Sequence, residues 1–196
     1  MTSRFRITLG QLNPTVGDLA GNADLAREAW AQGKEAGADL VALPEMFLAG
    51  YNAQDLVMKQ AFQLDVMTHL EALAADCADG PALAIGAPWV EGAKLYNAYL
   101  ILRNGKHNLP NETVFDEVRI FDSAPLGGPY AVGDTRIGSP ICEDAWHPDV
   151  AETLAETGAE FLLVPNGSPY YRGKFETRLN HMVARVVETE LPLIYL

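Results

Sequence analysis

Short apolar runs, each followed by a stretch of helical periodicity, recur along the chain, and this alternation constrains the fold more than any other feature. The runs at 5–11, 40–43, 83–89, 97–102, 135–141, 161–164 and 191–196 are too short for core helices. They are near-continuous rather than alternating, the pattern of strands covered on both faces in a largely parallel sheet. Between them, 22–37 sets Leu25, Ala29 and Trp30 on one helical face and stops at Gly37. Residues 55–77 do the same with Phe62, Val66, Leu70 and Leu73, and 149–157 and 175–188 complete the helices. The class is therefore α/β. Residues 106–130 carry three Pro, two adjacent Gly and little periodicity, and read as a long functional loop.

One segment echoes another. Ala36-Gly37-Ala38-Asp39-Leu40-Val41-Ala42-Leu43-Pro44-Glu45 has the same grammar as Thr157-Gly158-Ala159-Glu160-Phe161-Leu162-Leu163-Val164-Pro165-Asn166. Each is a helix ending in Gly, a short apolar strand, then Pro and a polar residue. Two related βα halves would produce this; so would chance, since such joins recur in α/β proteins. Either way Glu45 and Asn166 stand at carboxyl strand ends. So does Cys142, which follows Ile137-Gly138-Ser139-Pro140-Ile141 and precedes Glu143-Asp144-Ala145-Trp146. Ligands in α/β folds gather outside the carboxyl ends of strands, so the thiol is positioned as a nucleophile.

A thiol needs a base or a cation to act at neutral pH. Of the four histidines, His69 and His181 fall within helices, and His147, five residues past Cys142, is the one near enough for a Cys–His pair. No Asn or Asp orienter accompanies it. The other option is Glu45, flanked by Pro44, Met46 and Phe47, whose carboxylate would be desolvated and its pKa raised toward neutrality. Cys77 reads as a packed helix residue. The net charge of −12 argues against nucleic acid or an anionic membrane as partner through a general basic surface. No stretch approaches the roughly 20 apolar residues of a membrane span. The amino end runs straight into a strand rather than a signal peptide, and two free thiols fit a cytoplasmic location. No metal-ligand cluster and no Gly-rich phosphate loop is visible.

Leu43-Pro44-Glu45 and Pro140-Ile141-Cys142-Glu143-Asp144 resemble the nitrilase, or carbon–nitrogen hydrolase, superfamily. Asn108-Leu109-Pro110-Asn111-Glu112-Thr113-Val114-Phe115-Asp116-Glu117 and Val164-Pro165-Asn166-Gly167-Ser168-Pro169-Tyr170 are more similar to one branch, the amidase domains of glutamine-dependent NAD⁺ synthetases. The resemblance spans Arg6 to Leu196. It implies a four-layer α-β-β-α sandwich of two mixed sheets, with 1–196 as the amidase domain, incomplete at its carboxyl end. It implies that Glu45 is the general base, Cys142 the nucleophile, Lys106 the catalytic lysine and Glu117 the glutamate that positions it. Tyr51, Glu112, Glu143, Ser168 and Lys174 fall where the family contacts L-glutamine. The activity implied is glutamine hydrolysis supplying ammonia to a synthetase domain beyond residue 196, where ATP and Mg²⁺ would bind; this domain itself would need no cofactor, and the family forms homo-oligomers. A stand-alone amidase and a non-catalytic glutamine-binding domain are the alternatives.

The chain departs from the branch at two positions. Glu112 stands where the branch has Tyr. Lys106 follows the turn Asn104-Gly105 directly, whereas the family separates strand and lysine by a whole return strand. Lys106 is then either the catalytic lysine of a shortened hairpin or a turn lysine beside an absent segment, and the spacing favours the second.

Overall fold

The computed structural model describes residues 4–103, 106–112, 120–122, 127–168 and 172–196, with the backbone alone for 106–112. Two mixed sheets form the centre. The first holds β1 (Ile7–Leu9), β2 (Leu40–Ala42), β3 (Ala82–Glu91), β4 (Lys94–Arg103) and β5 (Lys106–Glu112) in that order. Its β1, β2 and β3 run parallel and its β3, β4 and β5 antiparallel. The second holds β6 (Tyr130–Val132), β7 (Thr135–Gly138), β8 (Phe161–Val164) and β9 (Leu193–Tyr195), with β6 antiparallel to β7 and the rest parallel.

Side-chain alternation along the strands decides how the layers stack. Leu40, Ala42, Ala84, Tyr99 and Ile101 face Val132, Ile137 and Leu163 across the two sheets, making an inner core. The intervening residues Val41, Leu43, Leu83, Ile85, Leu100 and Leu102 face outward onto Ala26, Trp30, Val66, Leu70 and Leu73. Those belong to α1 (Leu19–Glu35) and α2 (Gln60–Asp76). On the far side α3 (Pro148–Glu156) packs Ala151 and Leu154 on Leu162. α4 (Lys174–Thr189) packs Met182 on Val164. The expected four-layer α-β-β-α sandwich results.

Two of the expected segments are organised differently. The expected helix 55–77 is divided into a 3-10 turn, Gln54–Met58, and α2. The expected loop 106–130 opens with strand β5 and closes at the first residue of β6. A Pro and two Asn in Lys-His-Asn-Leu-Pro-Asn-Glu hid β5 from a propensity reading, and an edge position is where a sheet tolerates Pro. Cys77 caps α2 as a buried residue whose thiol burial pushes up to about 11, so it is an inert packed thiol as expected.

Candidate active site

Glu45 owes its position to the joint that follows β2. Leu43 N–H donates to Ala84 O (2.8 Å), Gly86 N–H to Pro44 O (3.2 Å) and Leu48 N–H to Gly86 O (3.1 Å). The chain thus folds back over β3 at Gly86, where a Cβ would stand 2.3 Å from Met46 N and 2.7 Å from the Glu45 carbonyl carbon. Only glycine fits that approach. The turn runs through Met46, a non-glycine residue in the left-handed region (φ 51°).

Cys142 is held by an equivalent device. It opens a 3-10 turn, Cys142–Trp146, immediately past the segment that leaves β7. Asp144 accepts the Ile141 amide at 2.9 Å, and the Cys142 amide donates to Pro165 O at 2.8 Å. Cys142 itself sits in the left-handed region (φ 48°), a conformation non-glycine residues hold at a cost of about 1–3 kcal/mol and one that clusters at functional sites.

The two strand tips meet through a third. The turn after β8 presents Asn166, Gly167 and Ser168. Gly167 N–H donates to Glu45 Oε2 at 2.7 Å, and Asn97 Nδ2, from β4, donates to Oε1 at 2.9 Å. The Cys142 thiol donates to Asn166 Oδ1 at 3.2 Å and stands close enough to the Glu45 carboxylate for each group to shift the other's pKa. Glu45 is 5% exposed. Burial raises its pKa, and the Asn97, Cys142 and Gly167 donors only partly oppose that. Burial first, and then the Glu45 charge, push the Cys142 thiol far up. The resting pair is therefore a thiol beside a carboxylate of raised basicity, not a standing thiolate. It can deliver a proton from sulfur to Glu45 as the sulfur attacks.

Glu45, Asn166 and Gly167 open into a cavity of about 670 Å³ lined also by Tyr51, Arg178, Leu179 and Tyr195. Tyr51 lines it from beside Gly167, and Glu143 is half-buried with its charge acting on Glu45. Lys174 heads α4, 5% exposed, its Nζ 5.8 Å from the centre of the Trp146 ring. Burial and then the Arg178 charge lower its pKa, while the charges of Cys142 and Glu143 favour its protonated form. Ser168 lies in the same turn as Asn166. His181 is half-buried against Trp146, ring centres 4.6 Å apart.

Lys106 is not brought to this site. Its backbone pairs with Arg103, at the turn end of the β4–β5 hairpin, whereas Glu45 is held by Asn97 six residues back along β4. Six residues of strand are about 20 Å. Glu112 pairs with Ala98, so its backbone does come to the Asn97 end, and Glu117 lies outside the described residues.

Three contributors were missed. Asn97 had a signal: it is a buried polar residue inside the apolar run of β4, which calls for a partner. Asn166 had been placed on the rim without a role, and its contact with Cys142 crosses two strand tips. Arg178 had no local signal beyond lying one helical turn from Lys174.

The carbon–nitrogen hydrolase family pattern matches residues 6–196. A glutamine-dependent NAD(+) synthetase of Rhodobacter capsulatus is 58% identical over 203 residues, covering all of this chain and 37% of the relative. The solved glutamine-dependent NAD+ synthetase of Acinetobacter baumannii, determined with adenosine diphosphate, superposes with a TM-score of 0.86 at 28% identity. That match covers 97% of this chain and 38% of that one. A nitrilase-superfamily amidase of Nesterenkonia shares the fold at 22% identity, with a TM-score of 0.82 over all of this chain and 76% of its own. The chain thus spans a little over a third of the synthetases it matches. With the family pattern covering nearly the whole chain, and a buried Glu45 beside a strand-tip Cys142 inside the matched span, it belongs to the carbon–nitrogen hydrolase family.

Proposed function

We propose that the chain hydrolyses L-glutamine and supplies the ammonia to an ATP-dependent synthetase part that amidates deamido-NAD. The observation that carries the chemistry is the buried Glu45 carboxylate, which lines the cavity and stands beside the Cys142 thiol held by Asn166. Cys142 Sγ attacks the side-chain amide carbon of glutamine while its proton passes to Glu45. The tetrahedral adduct collapses as Glu45 returns that proton to the leaving nitrogen, freeing ammonia and leaving a glutamyl thioester. Glu45 then takes a proton from water, which attacks the thioester, and glutamate leaves as the sulfur is reprotonated. Lys174, buried near Cys142 at the cavity end of α4, is assigned to the substrate carboxylate, with Tyr51, Ser168, Glu143 and Glu112 as further contacts. The glutamine specificity rests on 58% identity to a protein named for that dependence.

ATP and Mg²⁺ belong, in this reading, to the synthetase part; among the described residues no group of three His, Cys, Asp or Glu could hold a metal. A homo-oligomer in the cytoplasm completes the proposal. Among the described residues no helix is long and apolar enough to cross a membrane.

A second reading, a glutamine-binding domain without turnover, is favoured by the hairpin register that leaves Lys106 at the far end of β4. An oxyanion donor is worth about 10²–10³ in rate, so its absence would spare binding and cripple hydrolysis. Ammonia release from glutamine, and not from short aliphatic amides, by the intact protein supports the first reading. Glutamine binding with no ammonia release supports the second.

A further inference from the structure

Arg178 lies outside every motif that carries the family resemblance. It stands on α4 one turn beyond Lys174 and lines the cavity beside Gly167 and Tyr195. Its Nη2 donates to Ser168 twice, at 2.9 Å to the main-chain oxygen and at 2.8 Å to Oγ. The Arg178 Nε–H is buried with no hydrogen-bond partner among the described residues, so an arginine is kept here despite an unsatisfied donor. Ser168 closes the turn that carries both catalytic contacts. Its amide donates to Asn166 Oδ1 at 3.3 Å, the same oxygen that takes the Cys142 thiol, and the intervening Gly167 amide holds Glu45.

We infer that Arg178 is a positioning residue for the Glu45–Cys142 pair, acting through Ser168 and the turn 166–168, and that the fixed direction of its Nη2 donors is required for this and not merely its charge. Both bonds leave one nitrogen, Nη2, whose two N–H are fixed in the guanidinium plane; an ammonium on a flexible stem holds no such direction. Losing that anchor loosens Gly167 from Glu45 Oε2 and Asn166 from the thiol together. The proposal rests on the hydrolytic reading above, and its test separates the two.

The experiment compares the intact protein with R178Q, R178K, S168A and the R178Q/S168A double variant, following ammonia release from glutamine against pH. In parallel, the rate at which iodoacetamide alkylates Cys142 is followed against pH, which needs no glutamine turnover. R178Q is expected to lower kcat about ten- to hundredfold with KM little changed. The acid limb of both profiles should move to higher pH by up to about one unit, because Glu45 loses a donor that favours its charged form. The charged and titratable groups facing Glu45 are Cys142 and Glu143 from the 3-10 turn and Tyr195 from β9, and no variant changes them. Arg178's own charge acts on Lys174 and Tyr195, and R178K retains it.

R178K should therefore resemble R178Q, S168A should show a smaller effect in the same direction, and the double variant should be no worse than R178Q. A rise in KM at constant kcat would overturn the inference in favour of a direct substrate contact. Full rescue by R178K would reduce the role to charge, and unchanged profiles would remove it. If R178Q does not fold, the S168A alkylation profile decides. If the parent releases no ammonia, the hydrolytic reading fails, while the alkylation profiles still judge Arg178.

Discussion

The joints that deliver Glu45 and Asn166 to the rim are two copies of one device. In the first, Ala38 N–H donates to Gly33 O (2.9 Å) and Asp39 N–H to Arg6 O (2.8 Å). In the second, Ala159 N–H donates to Leu154 O (2.9 Å) and Glu160 N–H to Arg136 O (2.8 Å). Asp39 and Glu160 each accept a neighbouring strand's amide at 2.8 Å, from Arg6 and Arg136. The guanidinium of each arginine reaches back to the helix end, onto Ala36 O and Thr157 O. Both helices stop at a glycine in the left-handed region, Gly37 (φ 67°) and Gly158 (φ 96°). The joints then diverge at a single position after Pro: an acid in one, an amide in the other. The scaffold repeats and the chemistry does not. In the proposed reaction the acid takes the proton, and the amide holds the sulfur that gives it up.

The largest break of this comparison is at the acid. E45Q should lower glutamine turnover about 10²–10⁴-fold, the worth of a positioned general base, while glutamine binding by calorimetry survives. In the parent, kcat/KM should fall as the pH drops through Glu45's raised pKa, hence above the ordinary carboxylate range. E45Q should lose that limb.

The next effect comes from the hairpin. The 203 aligned positions of the Rhodobacter capsulatus match exceed the 196 residues of this chain by seven. Seven residues inserted between Gly105 and Lys106 would slide Lys106 from opposite Arg103 to opposite Tyr96, next to Asn97. Glutamine turnover should rise about 10²–10³-fold on that insertion, and a Lys106→Met change in the lengthened chain should cancel the gain.

At the amide tip, N166A should cost about ten- to hundredfold in kcat through a misplaced sulfur, less than loss of the acid. The smallest effects test the shared device. G37A and G158A should each destabilise by about 1–2 kcal/mol in denaturant unfolding, since each forces a Cβ into the left-handed region. Unequal losses would show that the two joints are not equivalent.

Much of this was legible in the residues. The echo at Gly37 and Gly158, the α/β class and the rim positions of Glu45 and Cys142 follow from period and punctuation, because these are local signals; the four-layer stacking comes from the family resemblance. Lys106 is where local reading ended. Its motif says catalytic, whereas its location depends on hairpin register, a count of residues between strands that β5 disguised with Pro and Asn. Asn97, Asn166 and Arg178 act across elements far apart in sequence, and only packing reveals such partners.

The central claim is that Cys142, with Glu45 as its base, forms a glutamyl thioester. The direct measurement is the mass of the acid-quenched intact protein, and of its Cys142 peptide, after mixing with L-glutamine. A glutamyl adduct on Cys142, formed with release of ammonia and absent in E45Q, is the result expected. Ammonia release without any adduct on Cys142, or an adduct undiminished in E45Q, would contradict it.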